Sequence, residues 1–90
     1  MFAEGNNKTE IISFKVLSFK VVDANNESIA GAEILINGMG IASYTDIEGN
    51  YSVKIPFNSE EEIKISFISF KDKIVKINDI KNGSIQLLEE

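Results

Sequence analysis

The sequence predicts an all-β chain, a seven-stranded antiparallel β-sandwich with Greek-key connections, and three observations carry that reading. Short runs rich in Ile, Val and Phe alternate apolar with polar residues, which is the period of a half-buried strand. Turn clusters of Asn, Asp, Gly and Ser punctuate those runs at roughly the 8–12-residue spacing of sandwich strands. No stretch sustains a helical period.

Residues 1–10 are polar around Gly5, Asn6 and Asn7 and read as a flexible N-terminal arm, leaving 11–90 as a single β-sandwich domain. Ser13–Val22 is the first strand, with Phe14 and Val16 on one parity and Leu17, Phe19 and Val21 on the other. A parity switch within one run predicts a bulge or a strand that changes sheets. Asp23–Ser28 is a turn cluster. Ala32–Ile36 follows with Ile34 and Ile36 inward, and it closes at Asn37-Gly38, a hairpin signal because both residues tolerate positive φ. Ile41–Thr45 is a short strand, and Asp46–Asn50 is the next turn. Tyr51, Val53 and Ile55 then alternate with Ser52 and Lys54 up to Pro56, which ends a ladder for want of an N–H. Phe57–Glu61 is a loop, after which Ile63, Ile65 and Phe67 alternate with Lys64 and Ser66. Lys73–Ile77 and Ser84–Leu88 complete the set, and Ile80 between them fits one short turn.

Composition narrows the chemistry. Ninety residues make one domain, and 43% hydrophobic content argues for a folded core built mainly on fifteen isoleucines and six phenylalanines. The chain has no His, Cys, Trp or Arg, which removes thiol chemistry, disulfides, Cys- or His-based zinc sites and His-dependent triads. A net charge of −5 disfavours nucleic acid, which calls for a basic face. The densest basic stretch, Lys71, Lys73 and Lys76, reads as a solvated strand face. No apolar run approaches the roughly 20 residues of a membrane span, so no membrane insertion is expected. Met1–Lys8 has no apolar signal-peptide segment, so a leader is not expected within this chain.

The acidic clusters read as structure. Asp46-x-Glu48-Gly49-Asn50 superficially resembles a calcium loop, but its glycine falls at position 4 rather than 6 and Phe57 stands at position 12. A β-turn is the better account, and no metal or cofactor is expected. Glu60-Glu61-Glu62 reads as solvated edge charge rather than a catalytic pair. Nine serines lack a histidine to activate them, so no catalytic residue is assigned.

The motifs also occur in a familiar order. Lys20–Asp23, Ser28–Ile34, Asn37–Val53 and Ile65–Lys71 run in register, with Gly31-Ala32 and Thr45-Asp-x-x-Gly-Asn-Tyr-Ser52 the most distinctive pieces. Together they resemble the carboxypeptidase regulatory-like domain. That resemblance implies a transthyretin/prealbumin-like (Ig-like) Greek-key sandwich and a non-catalytic accessory role exercised by protein–protein contact. Such domains extend the N-termini of TonB-dependent outer-membrane receptors in Bacteroidetes, which implies a place in the periplasm, outer membrane or at the cell surface. Gly31, Asn37, Gly38, Asp46, Gly49, Asn50 and Tyr51 are then structural turn residues. Glycine angles at Gly31 and Gly49, turn acceptors on Asp46 and Asn50, and a core ring at Tyr51 are the expected roles.

Two departures from the family pattern stand out. Phe19 replaces a customary glycine, and Ser28-Ile-Ala-Gly-Ala32 lacks the usual prolines. Phe19 is therefore expected to alter strand pairing or to join a contact surface, with Leu35, Tyr44, Ile68 and Leu88 outward by parity. Relatives on this fold that hydrolyse a urate-pathway intermediate depend on histidine, and this chain has none. A carbohydrate-binding module is an alternative, with polysaccharide as partner and Tyr44 as its platform. The other is a collagen-adhesin B-type stalk repeat, with an isopeptide bond drawn from Lys15 or Lys20, Asn78 or Asn82, and Glu33.

Overall fold

The computed structural model describes residues 13–37, 39–40, 42–80 and 83–90. The expected arm at 1–10 lies outside them, as do Gly38 and Asn82. Seven strands occur among the described residues: β1 Phe14–Val22, β2 Glu33–Ile36, β3 Ala42–Tyr44, β4 Asn50–Pro56, β5 Glu62–Ser66, β6 Lys73–Lys76 and β7 Ser84–Gln86. One 3-10 turn, Ile77–Asp79, separates the last two, and Ile80 closes it by donating its N–H to the Ile77 carbonyl. The strands form a three-stranded sheet, β4-β1-β7, and a four-stranded sheet, β3-β2-β5-β6.

Alternation builds the core between the sheets. Leu17, Phe19 and Val21 from β1, Ile34 and Ile36 from β2, and Ile63 and Ile65 from β5 point inward with Ile55, Ile77 and Leu87. Each such side chain contributes about 1.5–3 kcal/mol by leaving water. The parity of β1 differs from expectation. Phe14 and Val16 are exposed on the outer face, and the odd residues stay inward to Val21. The break falls at Val21–Val22, both buried. There the Val21 carbonyl accepts the Ile29 N–H at 2.9 Å and the Val22 carbonyl accepts the Leu87 N–H at 2.8 Å.

Phe19 is a correction to the contact surface. It is only 3% exposed, because it shares the inward parity of Leu17 and Val21. It also stands directly opposite Tyr51 on β4. The two rings meet at 5.5 Å between centroids with a 47° tilt, a favoured geometry worth about 0.5–1.5 kcal/mol beyond burial. The bulky ring fills the core and leaves the ladder in register.

The sandwich is not antiparallel throughout. β7 runs parallel to β1, with Val21 opposite Ile85, while the other four strand pairs are antiparallel. After β6 the chain leaves the four-stranded sheet and crosses to the free side of β1, entering where the Lys20 N–H donates to the Gly83 carbonyl at 3.0 Å. A crossover between sheets permits this same-direction pairing, which a tight hairpin cannot. The β2–β3 connection is also longer than a two-residue hairpin. Met39 N–H reaches the Ile36 carbonyl at 3.0 Å, Asn37 is not among the positive-φ residues, and Gly40 takes φ +72° instead.

Gly31 and Gly49 take φ of +78° and +79° in different surroundings. A Cβ on Gly31 would meet nothing within 4 Å, whereas one on Gly49 would lie 2.8 Å from the Val21 carbonyl oxygen. Gly31→Ala should therefore cost only the backbone penalty, about 1 kcal/mol. Gly49→Ala adds a clash with main chain and should cost about 2–4 kcal/mol. Urea unfolding of both variants measures the difference, and equal midpoints would contradict the close approach.

Candidate contact surface

The family motif is spent on the fold. Thr45 is buried, and its hydroxyl donates to the Ile29 carbonyl at 2.7 Å while accepting the Ala32 N–H at 2.9 Å. Asp46 folds the next corner: its Oδ1 accepts the N–H groups of Glu48 and Asn50 at 2.9 and 2.8 Å. Its own N–H donates to the Asn50 carbonyl, and its carbonyl accepts the Gly49 N–H, each at 2.9 Å. Asn50 thus serves through its backbone. Asp46 Oδ1 is thus the turn acceptor expected of it. Tyr51 is buried against Phe19, as its turn role implied.

A second copy of this corner was not expected from the sequence. Asp23 Oδ1 accepts the N–H groups of Asn25 and Glu27 at 2.8 and 2.9 Å. Asn26 at φ +65° takes the place that Gly49 holds in the first corner. The signal was there as a shared pattern, an Asp followed three residues later by Asn or Gly.

With these polar groups occupied, the exposed edges and faces remain. Leu35, Tyr44, Ile68 and Leu88 are all exposed, as parity predicted. Tyr44 and Ile68 line one groove of about 530 Å³ together with Glu33, Phe67, Asp72 and Glu90. Leu35 lines a second groove of about 370 Å³ on the four-stranded sheet, with Lys64 and Ile74. Leu88 lines neither. Ile74 was missed because Lys73–Ile77 carries no clean alternation; it is 62% exposed on the outer face of β6, opposite Lys64.

The charged clusters have settled places. Glu62 begins β5, an interior strand, opposite Lys76 of β6, so the glutamate run does not guard an edge. Lys71, Lys73 and Lys76 are exposed on or beside β6, the solvated strand face expected of them. Lys64 and Asp72 pair at 3.5 Å, both about half exposed, and so contribute little to stability. Of the isopeptide parts, Glu33 stands on the four-stranded sheet, Lys15 and Lys20 on the three-stranded one and Asn78 in the 3-10 turn, while Asn82 lies outside the described residues.

Residues 17–90, more than four-fifths of the chain, match the CarboxypepD_reg-like domain. The chain belongs to that family. As a CarboxypepD_reg-like domain it is of a regulatory-like, non-catalytic kind. No curated protein matches the sequence. Twelve chains of solved structures do match in fold. Among them is 3-chlorocatechol 1,2-dioxygenase from Rhodococcus opacus 1CP, at a TM-score of 0.61 and 9% identity over 91% of this chain. The domain spans 61% of that enzyme's chain, and at such identity the likeness concerns the sandwich alone.

Thr45→Val keeps the shape of the side chain but leaves the Ala32 N–H and Ile29 carbonyl unpaired beside the core. It should destabilise the domain by about 1–3 kcal/mol, whereas Thr45→Ser should recover most of that. Chemical denaturation of the two variants checks the difference.

Proposed function

We propose that this CarboxypepD_reg-like domain is an accessory module of a cell-envelope protein, of the kind joined to TonB-dependent receptors, and that it works by protein contact. One observation carries the reading. The motif's polar groups are consumed in turns and in the Thr45 bridge, while the outer face of the four-stranded sheet displays Leu35, Tyr44 and Ile74. Side chains that hold a fold are unavailable for chemistry, and exposed apolar groups beside open strand edges favour docking.

A sugar-binding role is less well supported. Phe14 and Phe57 are exposed, but Lys54 lies over the first ring at 5.9 Å and Lys15 over the second at 5.6 Å. Phe67 and Phe70 are half-buried and pack on each other at 5.9 Å. Tyr44 joins no ring pair among the described residues, and the two aromatic rings that share its groove, Phe67 and Phe70, are spent on each other.

Amide exchange on this chain in its native envelope assembly, set against the chain alone, tests the contact reading. Slower exchange is expected in the assembly on at least one strand of the four-stranded sheet, within residues 33–36, 42–45 or 62–76. Exchange unchanged on every edge would overturn it, as would fractionation of the protein away from the envelope.

A further inference from the structure

Among the described residues four strands have an open side, and hydrogen-bond parity shows which main-chain groups face it. On β4 the pair Ser13–Phe57 is bonded at 2.7 Å and Val21–Gly49 at 2.8 Å, so the even residues of β4 point outward. Asn50 is already bonded to Asp46, and Pro56 has no N–H while its carbonyl accepts Ser59 at 3.1 Å. Among the described residues only Ser52 and Lys54 remain free there. β6 carries lysines at both ends, Lys73 and Lys76, and edge lysine discourages strand addition. β7 has three residues, and its Gln86 side chain reaches the Asp23 carbonyl at 3.5 Å.

β3 shares the brevity of β7 but has no other such device. It reads Ala42-Ser43-Tyr44, without charge or proline. Because Thr45 N–H bonds to Ala32 at 2.9 Å, Ser43 faces β2, and the main-chain groups of Ala42 and Tyr44 face outward. Tyr44 is 61% exposed beside that edge. In the sheet row Tyr44–Glu33–Ser66, Glu33 is its immediate neighbour. Glu90 lines the same groove. Asp72 is paired with Lys64, but neither Glu33 nor Glu90 has a cationic partner among the described residues.

We infer that β3 receives an extended segment of a partner protein that carries a lysine or arginine, added to the sheet as a fifth strand. This rests on the contact reading and fixes its edge and its partner's chemistry. Residues opposite Ala42 and Tyr44 exchange main-chain hydrogen bonds with them and present both side chains on the outer face. The added strand lies about 4.8 Å from Tyr44 and about 9.6 Å from Glu33. A lysine or arginine opposite Tyr44 spans that gap, with its stem across the ring and its charge at the Glu33 carboxylate. The residue two positions away, opposite Ala42, continues the row that runs through Ala42 to Leu35 and is apolar. The partner therefore offers a cation and an apolar residue on one face of a strand, to a domain of net charge −5.

The probe is a soluble nine-residue peptide with Lys and Val two positions apart among threonines, titrated into the isotope-labelled domain at low salt. Saturable shifts at the Ala42 and Tyr44 amides are expected, with affinity reduced about tenfold by Tyr44→Ala or Glu33→Lys. Glu33→Gln, which removes only the charge, keeps the test usable if Glu33→Lys misfolds. Replacing the peptide's Lys by Glu should weaken binding by a similar factor, and methylating its alternate amides should abolish it. Shifts confined to β4 or β6, equal affinity for the Lys and Glu peptides, or no saturation at millimolar peptide would overturn the inference. So would concentration-dependent shifts of Ala42 and Tyr44 without peptide, which would assign the edge to a second copy of this domain. If the native assembly protects β6 while the peptide fails at β3, the edge assignment falls and the contact reading stands.

Discussion

The sandwich depends on one close approach, where the corner after β3 passes under the end of β1. The Val21 N–H donates to the Gly49 carbonyl, and the Val21 carbonyl accepts the Ile29 N–H. A few residues back, Thr45 ties the same 29–32 segment to the start of the corner through its hydroxyl. The segment entering β2 of one sheet is thereby fastened to β1 of the other. That fastening exists only because residue 49 has no side chain to place between the strands. Glycine at that point, and a hydroxyl rather than a methyl at Thr45, set the spacing at which the isoleucine layers meet.

Much of this was legible in the sequence, because strand burial leaves a period of two that local chemistry cannot disguise. Ile34 and Ile36, Ile63 and Ile65, and Tyr51 and Ile55 were each readable as inward pairs and are buried. Reading failed where the outcome depends on what lies across the sheet. Phe19 looked anomalous beside a family pattern that favours glycine, and only its opposition to Tyr51 shows why the ring is accommodated. The parallel pairing of β7 was not readable, since a strand's direction relative to its neighbour is fixed by the path of the chain between sheets. Parity found Leu35, Tyr44, Ile68 and Leu88 as exposed residues. It could not tell that Tyr44 and Ile68 share one groove while Leu88 stands apart.

The strand edges differ in how they are protected among the described residues. Two long-standing hazards of strands, unpaired main chain and exposed apolar faces, are handled unevenly here. β4 is closed by an aspartate corner at one end and a proline at the other, and β6 by lysines. β3 relies on brevity alone. Among the described residues, β3 is thus the edge whose only guard is its length.

The two aspartate corners share a hydrogen-bond plan yet differ in what surrounds them. At the 46–50 corner the fourth residue is pressed against the main chain of β1, whereas the 23–27 corner stands in solvent with Asn26 in the equivalent place. The same geometry is therefore obligatory in one loop and replaceable in the other. For anyone fitting a fluorophore, an epitope or a spliced peptide into this domain, the 24–26 stretch is the permissive address. It is exposed and lies outside the core, so cargo placed there leaves the packed layers undisturbed.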